Sequence, residues 1–238
     1  YCKSLESITL IPSLNLLRIC VKRSRDLKGK TIIVSDVTNT LPRSRFEIEG
    51  VQSVPRTSVR NVTSVNQLIE AGPTANLLHI VAHGLFNSKN PYHSGYLLDF
   101  SEQPTGLFAQ YVSIVKSNGG ASFQFSDIPR NGCYQLMTVA DCMASLSLRQ
   151  CRLAVLSSCE CGLADTHGGG ELTGFPTSLL VAGAKSVIAA LWPVDDAATA
   201  LLMTRFYQHW AGGCGTHPSP AQSLSLARQD LKKMGRME

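Results

Sequence analysis

The sequence predicts an α/β domain built on a mostly parallel central sheet with helices on both faces. Three observations predict it. Short apolar runs suited to buried strands recur at residues 31–35 (TIIVS), 77–82 (LLHIVA), 152–157 (RLAVLS) and 185–191 (KSVIAAL). Stretches with helical spacing separate them, and alternation of strand and helix places helices on both faces of a parallel sheet. The chain has 238 residues, 44% hydrophobic and 16% charged, enough for one sizeable core and unlike disordered, collagenous or coiled-coil sequences.

Each element has a local reason. Residues 8–21 carry Leu10, Leu14, Leu17 and Val21 at helical spacing, with Pro12 and Ser13 marking the start. The run at 31–35 is a buried strand closed by Asp36 and the polar Thr38, Asn39 and Thr40. Two helices are expected near 44–51 and 62–70, with Pro55 between them. The strand at 77–82 ends on His83-Gly84, and 94–100 reads as a strand in a hairpin. Residues 101–135 are expected to be one long polar loop insertion, with Gly119-Gly120 as a candidate hinge.

A short helix is expected at 138–146 with Asp141 in its first turn, then the strand at 152–157, which ends on Ser158-Cys159. The glycines at 168–170 bend the chain into a helix over 172–182, stopped by Gly183. The strand at 185–191 runs into Trp192-Pro193-Val194-Asp195-Asp196. Asp195 or Asp196 caps a helix whose Ala198, Leu202, Phe206 and Trp210 fall on one face, and Ser219-Pro220 opens the last one in the favoured order.

Charge and cysteine usage exclude several functions. The net charge of +5 is modest, and the cluster Arg18, Lys22, Arg23, Arg25, Lys28 and Lys30 reads as a solvated face, so no nucleic-acid contact is expected. No apolar run reaches membrane-spanning length, since even 179–194 is broken by Lys185. The eight cysteines lack both the small size of a disulfide scaffold and the spacing of a zinc site; Cys159-Glu160-Cys161 is the closest pair. Reduced thiols and the lack of a leader point to a cytoplasmic protein. No phosphate loop, dinucleotide fingerprint or metal cluster occurs, and no cofactor is expected.

In parallel sheets ligands sit at the carboxyl ends of the strands. Three strands end on chemistry there: His83, Cys159, and the Asp195-Asp196 pair. A thiolate nucleophile needs a base, backbone oxyanion donors and a rigid mount. His83 and Cys159 are 159 − 83 = 76 residues apart, yet neighbouring strands would bring them to one rim. Gly84 lets the backbone approach a substrate carbonyl, its N–H joining that of Cys159 as an oxyanion donor, and Gly162 permits the turn that exposes the sulfur. For each residue taken singly, the competing reading is structural: a hydrogen-bonded histidine and an inert thiol.

The strings LLHIVAHG at 77–84, LAVLSSCECG at 153–162 and GAKSVIAALWPVDDAATALLMTRFY at 183–207 occur in order and resemble the CHAT domain. The resemblance extends over most of the chain, from IPSLNLL to SLSLARQDL. It implies a caspase-like three-layer sandwich and a cysteine endopeptidase related to separase and caspases, with His83 as base and Cys159 as nucleophile. It also implies a protein substrate and an attached tetratricopeptide-repeat or other sensor domain that regulates cleavage. Asp196 matches a separase position that meets an arginine before the cut, which would favour Arg or Lys there; the alternative is that Asp195 or Asp196 only caps the following helix. Cys161 departs from the family pattern, in which a small polar residue is usual. The whole of 1–238 is expected to be one such domain lacking its N-terminal part. The alternative function is a non-catalytic caspase-like protein-interaction module.

Overall fold

The computed structural model describes residues 9–23, 29–37, 41, 43–52, 58–85, 90–101, 133–157, 174–190, 194–211 and 218–234. Five strands form the central sheet: β1 (Lys30–Val34), β2 (Val59–Val62), β3 (Ala75–Ile80), β7 (Leu153–Leu156) and β8 (Val187–Ala189). Their spatial order is β2-β1-β3-β7-β8, and every neighbouring pair is parallel. The three best apolar runs become the central strands β1, β3 and β7, because only there are both faces covered.

Side chains alternate across this sheet into two cores. On one face Leu78, Ile80, Ala154 and Leu156 meet α3 (Val65–Ala71), α4 (Val139–Ser145) and α5 (Phe175–Ala182). On the other face Leu77, Leu153 and Val155 meet α2 (Ser44–Gln52), α6 (Asp196–Ala211) and α7 (Pro220–Met234). The result is the expected α/β three-layer sandwich, consistent with a caspase-like fold. A second, antiparallel sheet, ordered β4-β5-β6, joins β4 (Gly84–Leu85), β5 (Gly95–Ser101) and β6 (Cys133–Thr138). It lies against the first core, where Tyr96 meets Phe175 edge-on at 4.5 Å between ring centres.

Helix ends obey the local chemistry. Ser13 accepts from the N–H of Leu16 at 3.2 Å to start α1 (Leu14–Lys22), and Ser219 accepts from Gln222 N–H at 3.2 Å to start α7. Thr138 and Asp141 form a reciprocal capping box at the start of α4. Gly183 ends α5 at φ +128°, where a Cβ would also fall 2.7 Å from the Leu148 carbonyl carbon, so two constraints select glycine there.

Several expectations are corrected. Val62 is the end of strand β2 rather than the start of a helix, and α3 begins only at Val65. Ser101 and residues 133–135, assigned to the long insertion, belong to β5 and β6, and Thr138 is a cap rather than the first helical residue; residues 102–132 lie outside the described residues. The buried stripe of α6 is Ala200, Met203, Phe206, Tyr207 and Trp210, with Ala198 exposed. Leu10, Leu14, Leu17 and Val21 stay exposed around α1. Arg23, read as part of a solvated basic face, instead donates from Nη1 to the carbonyls of Leu180 and Ala184 at 2.7 and 2.6 Å, capping the end of α5.

Candidate functional site

The rim where the parallel strands end is organised by the pairing of β3 with β7. Leu77 faces Leu153 and Ile80 faces Leu156, a constant offset of 76 (156 − 80). The last bond of this ladder is Ser157 N–H donating to the Ile80 carbonyl at 2.8 Å. Beyond this point β3 turns away: Val81 N–H still donates to Val34 in the central sheet at 2.8 Å, while the His83 carbonyl accepts from Leu97 N–H of β5 at 2.9 Å. His83 thus stands, half-buried, at the junction of the two sheets.

Gly84 is buried and opposes Tyr96. Because the inter-strand bond runs between His83 and Leu97, Gly84 and Tyr96 form a non-hydrogen-bonded pair, and the Gly84 N–H points away from β5. An N–H on that side is not taken up by the β4–β5 pairing. Cys159, Cys161 and Gly162 lie outside the described residues.

Strand β8 adjoins β7 in parallel, so the chain toward Asp195 and Asp196 leaves from the same rim. Asp195 is exposed and acts as a cap: its Oδ1 accepts from Ala198 N–H at 2.8 Å, and its carbonyl accepts from Thr199 N–H and Oγ1–H at 3.0 and 2.8 Å. Asp196 is the first residue of α6.

Three other cysteines have described side chains, and each is a buried, reduced thiol. Burial pushes Cys142 and Cys151 up to about 12 and raises Cys20 as well, so none of them is a ready thiolate near neutral pH. Among the described residues no group of three or more His, Cys, Asp or Glu is disposed to hold a metal ion. No helix among them is long and apolar enough to cross a membrane.

One constellation was missed from the sequence. His79, wholly buried in the middle of β3, places Nδ1 2.7 Å from the Tyr207 hydroxyl of α6. Its Nε2 lies 3.1 Å from Oε1 of Glu47, a buried carboxylate of α2, though off the line of a hydrogen bond. The other oxygen, Oε2, accepts from Ser157 Oγ–H at 2.7 Å. Burial, and then the charge of Glu47, raise Tyr207 well above the ordinary tyrosine value, so the phenol keeps its proton. A proton donated to Nδ1 leaves Nε2–H facing the carboxylate. The available signal was His79 itself, a polar ring inside LLHIVA that must find a partner once buried.

The family model described as the CHAT domain matches residues 4–237, essentially the whole chain. No curated protein matches the sequence.

Proposed function

Because the chain belongs to the CHAT domain family, we propose that it is a cysteine endopeptidase working through His83 and Cys159. The observation that carries this reading is the register of β3 against β7. Its offset of 76 equals the separation of His83 and Cys159, each three residues past a paired strand end. That register supports the reading that both residues reach one rim, the place where α/β sheets bind ligands.

In the proposed reaction the His83 imidazole takes the thiol proton as Cys159 Sγ attacks the scissile carbonyl carbon. The N–H groups of Gly84 and Cys159 hold the oxyanion of the tetrahedral intermediate. Imidazolium then protonates the leaving amine, leaving a thioester. Water, deprotonated by His83, cleaves it to release the acid and restore the thiol. Since Asp195 is engaged as a helix cap, the specificity role falls to Asp196, whose carboxylate would favour Arg or Lys before the cut. The substrate is a polypeptide, and an attached repeat or sensor domain governs access to the site.

The test is a panel of fluorogenic peptides varied at the residue before the cut, with wild type, Cys159→Ala and His83→Ala. Cleavage in wild type and its loss in both variants is expected. Equal cleavage by Cys159→Ala removes the endopeptidase reading, and an intact Arg or Lys preference in Asp196→Ala removes the specificity role.

A further inference from the structure

We infer that Glu47 is a positioning residue for the rim at which β3 and β7 end. The inference rests on the dyad reading above. One carboxylate, buried on α2, touches both strands that lead to the rim: it accepts from Ser157, the first residue past β7, and faces His79 on β3. His79 is in turn anchored on α6 through the Tyr207 hydroxyl. The two strand exits are thus tied to each other and to two helices of one layer by a chain of side-chain contacts.

Sheet parity adds a second observation. Leu77, Leu153 and Val155 all face the α2/α6 layer, and His79 and Ser157 continue the same alternation. His79 and Ser157, the members of the polar chain on the two strands, thus share the α2/α6 face with Glu47 and Tyr207.

The constellation is not itself a hydrolytic Ser-His-Glu set. Ser157 Oγ donates to the carboxylate rather than to the imidazole, and Ser157, Glu47 and His79 are 8%, 2% and 0% exposed. Nor is it the cheapest way to fill a core. A carboxylate taken from water needs compensation, and apolar groups of similar volume commonly serve as well or better. What the carboxylate supplies and an apolar side chain does not is direction, since the donated bond fixes where the backbone leaves β7.

The experiment measures the alkylation rate of Cys159 by iodoacetamide against pH in the full chain, read peptide by peptide by mass spectrometry. The proteins are wild type, His83→Ala, Ser157→Ala, Ser157→Thr, Glu47→Leu and Glu47→Gln. In wild type the rate midpoint is expected below that of an ordinary thiol, and His83→Ala raises it. Ser157→Ala and Glu47→Leu are expected to raise it by about half a pH unit or more, about a threefold loss of thiolate at neutral pH. Ser157→Thr keeps the donor and Glu47→Gln keeps an acceptor, and both stay near the wild-type midpoint. Should Glu47→Leu not fold, the contrast of Ser157→Ala with Ser157→Thr decides. If His83→Ala moves the midpoint while Ser157→Ala and Glu47→Leu do not, the positioning role is wrong and the dyad stands, even if both variants melt earlier. If His83→Ala leaves the midpoint unmoved, the dyad and the inference fall together.

Discussion

Cys142 and Cys151 should be nearly silent toward iodoacetamide in the folded protein, and the size of the effect follows from their surroundings. Both are buried, at 0% and 2% exposure, and both thiols are pushed up to about 12. At pH 7.5 such a thiol is ionised to about 3 parts in 100,000, against about a tenth for an ordinary cysteine near 8.5. The ratio is about 3,000. The more basic thiolate is the better nucleophile and recovers about 40-fold, so ionisation alone leaves a deficit of roughly 80-fold. Access adds to it, because reagent reaches these core positions only after opening, and a core that opens at about 5 kcal/mol is open only about 2 times in 10,000. The assay compares per-cysteine labelling rates at pH 7.5 in native and urea-denatured chain. Slowing beyond roughly 80-fold is expected at both residues. Labelling of either within tenfold of its denatured rate would refute the burial on which this reasoning stands. Cys159, by contrast, is expected to label at least as fast in the native chain as in urea.

Two further outcomes test the helical frame. Asp195→Ala removes the cap that holds Ala198 N–H, and about 1 kcal/mol should be lost in urea unfolding, with no change in the residue preferred before the cut; a change there would return Asp195 to the binding site. On the α6–α7 surface, His209 Nε2 lies 2.7 Å from Asp230 Oδ2, and this hydrogen bond is the main reason the Asp230 carboxyl sits below its ordinary value. A lowered folded value means that the pair's stabilisation is complete above the ordinary carboxylate range and disappears as pH falls through the lowered value. In His209→Ala the Asp230 titration followed by carbon NMR should move up; an unmoved midpoint would show that other neighbours set it.

The parts of the fold legible in the sequence are those whose cause is local. The runs that became β1, β3 and β7 are apolar on both faces because both faces are covered, and Ser13, Gly183, Asp195 and Ser219-Pro220 mark helix ends by their own backbone chemistry. Strand β2 was not legible because it is an edge strand in which Val62 alone is buried, so VRNV shows no alternation to read. In β6, Thr138 both closes the strand and caps α4, which blurred the boundary between them. The Glu47 network was hidden for another reason: its contacts join residues 110 and 128 positions apart. A local pattern can say that His79 needs a partner. It cannot name Tyr207 or Glu47, and on α2 it misleads, since Glu47 is turned inward while Phe46 is 54% exposed.

The described residues also explain why the rim lies at the junction of two sheets. A parallel pair continued straight on would keep its backbone donors and acceptors engaged between the strands. Here the chain leaving β3 departs from that pattern. The chain leaving β3 gives its His83 carbonyl to Leu97 of the small sheet, which packs on the α3/α4/α5 face. The chain leaving β7 is held by Ser157 to Glu47, which comes from the α2/α6 face. The alternation set by the His83–Leu97 bond turns the Gly84 N–H away from β5, and His83 and Ser157 are held from opposite faces. The small sheet, read from sequence only as a hairpin, therefore holds the segment that carries His83.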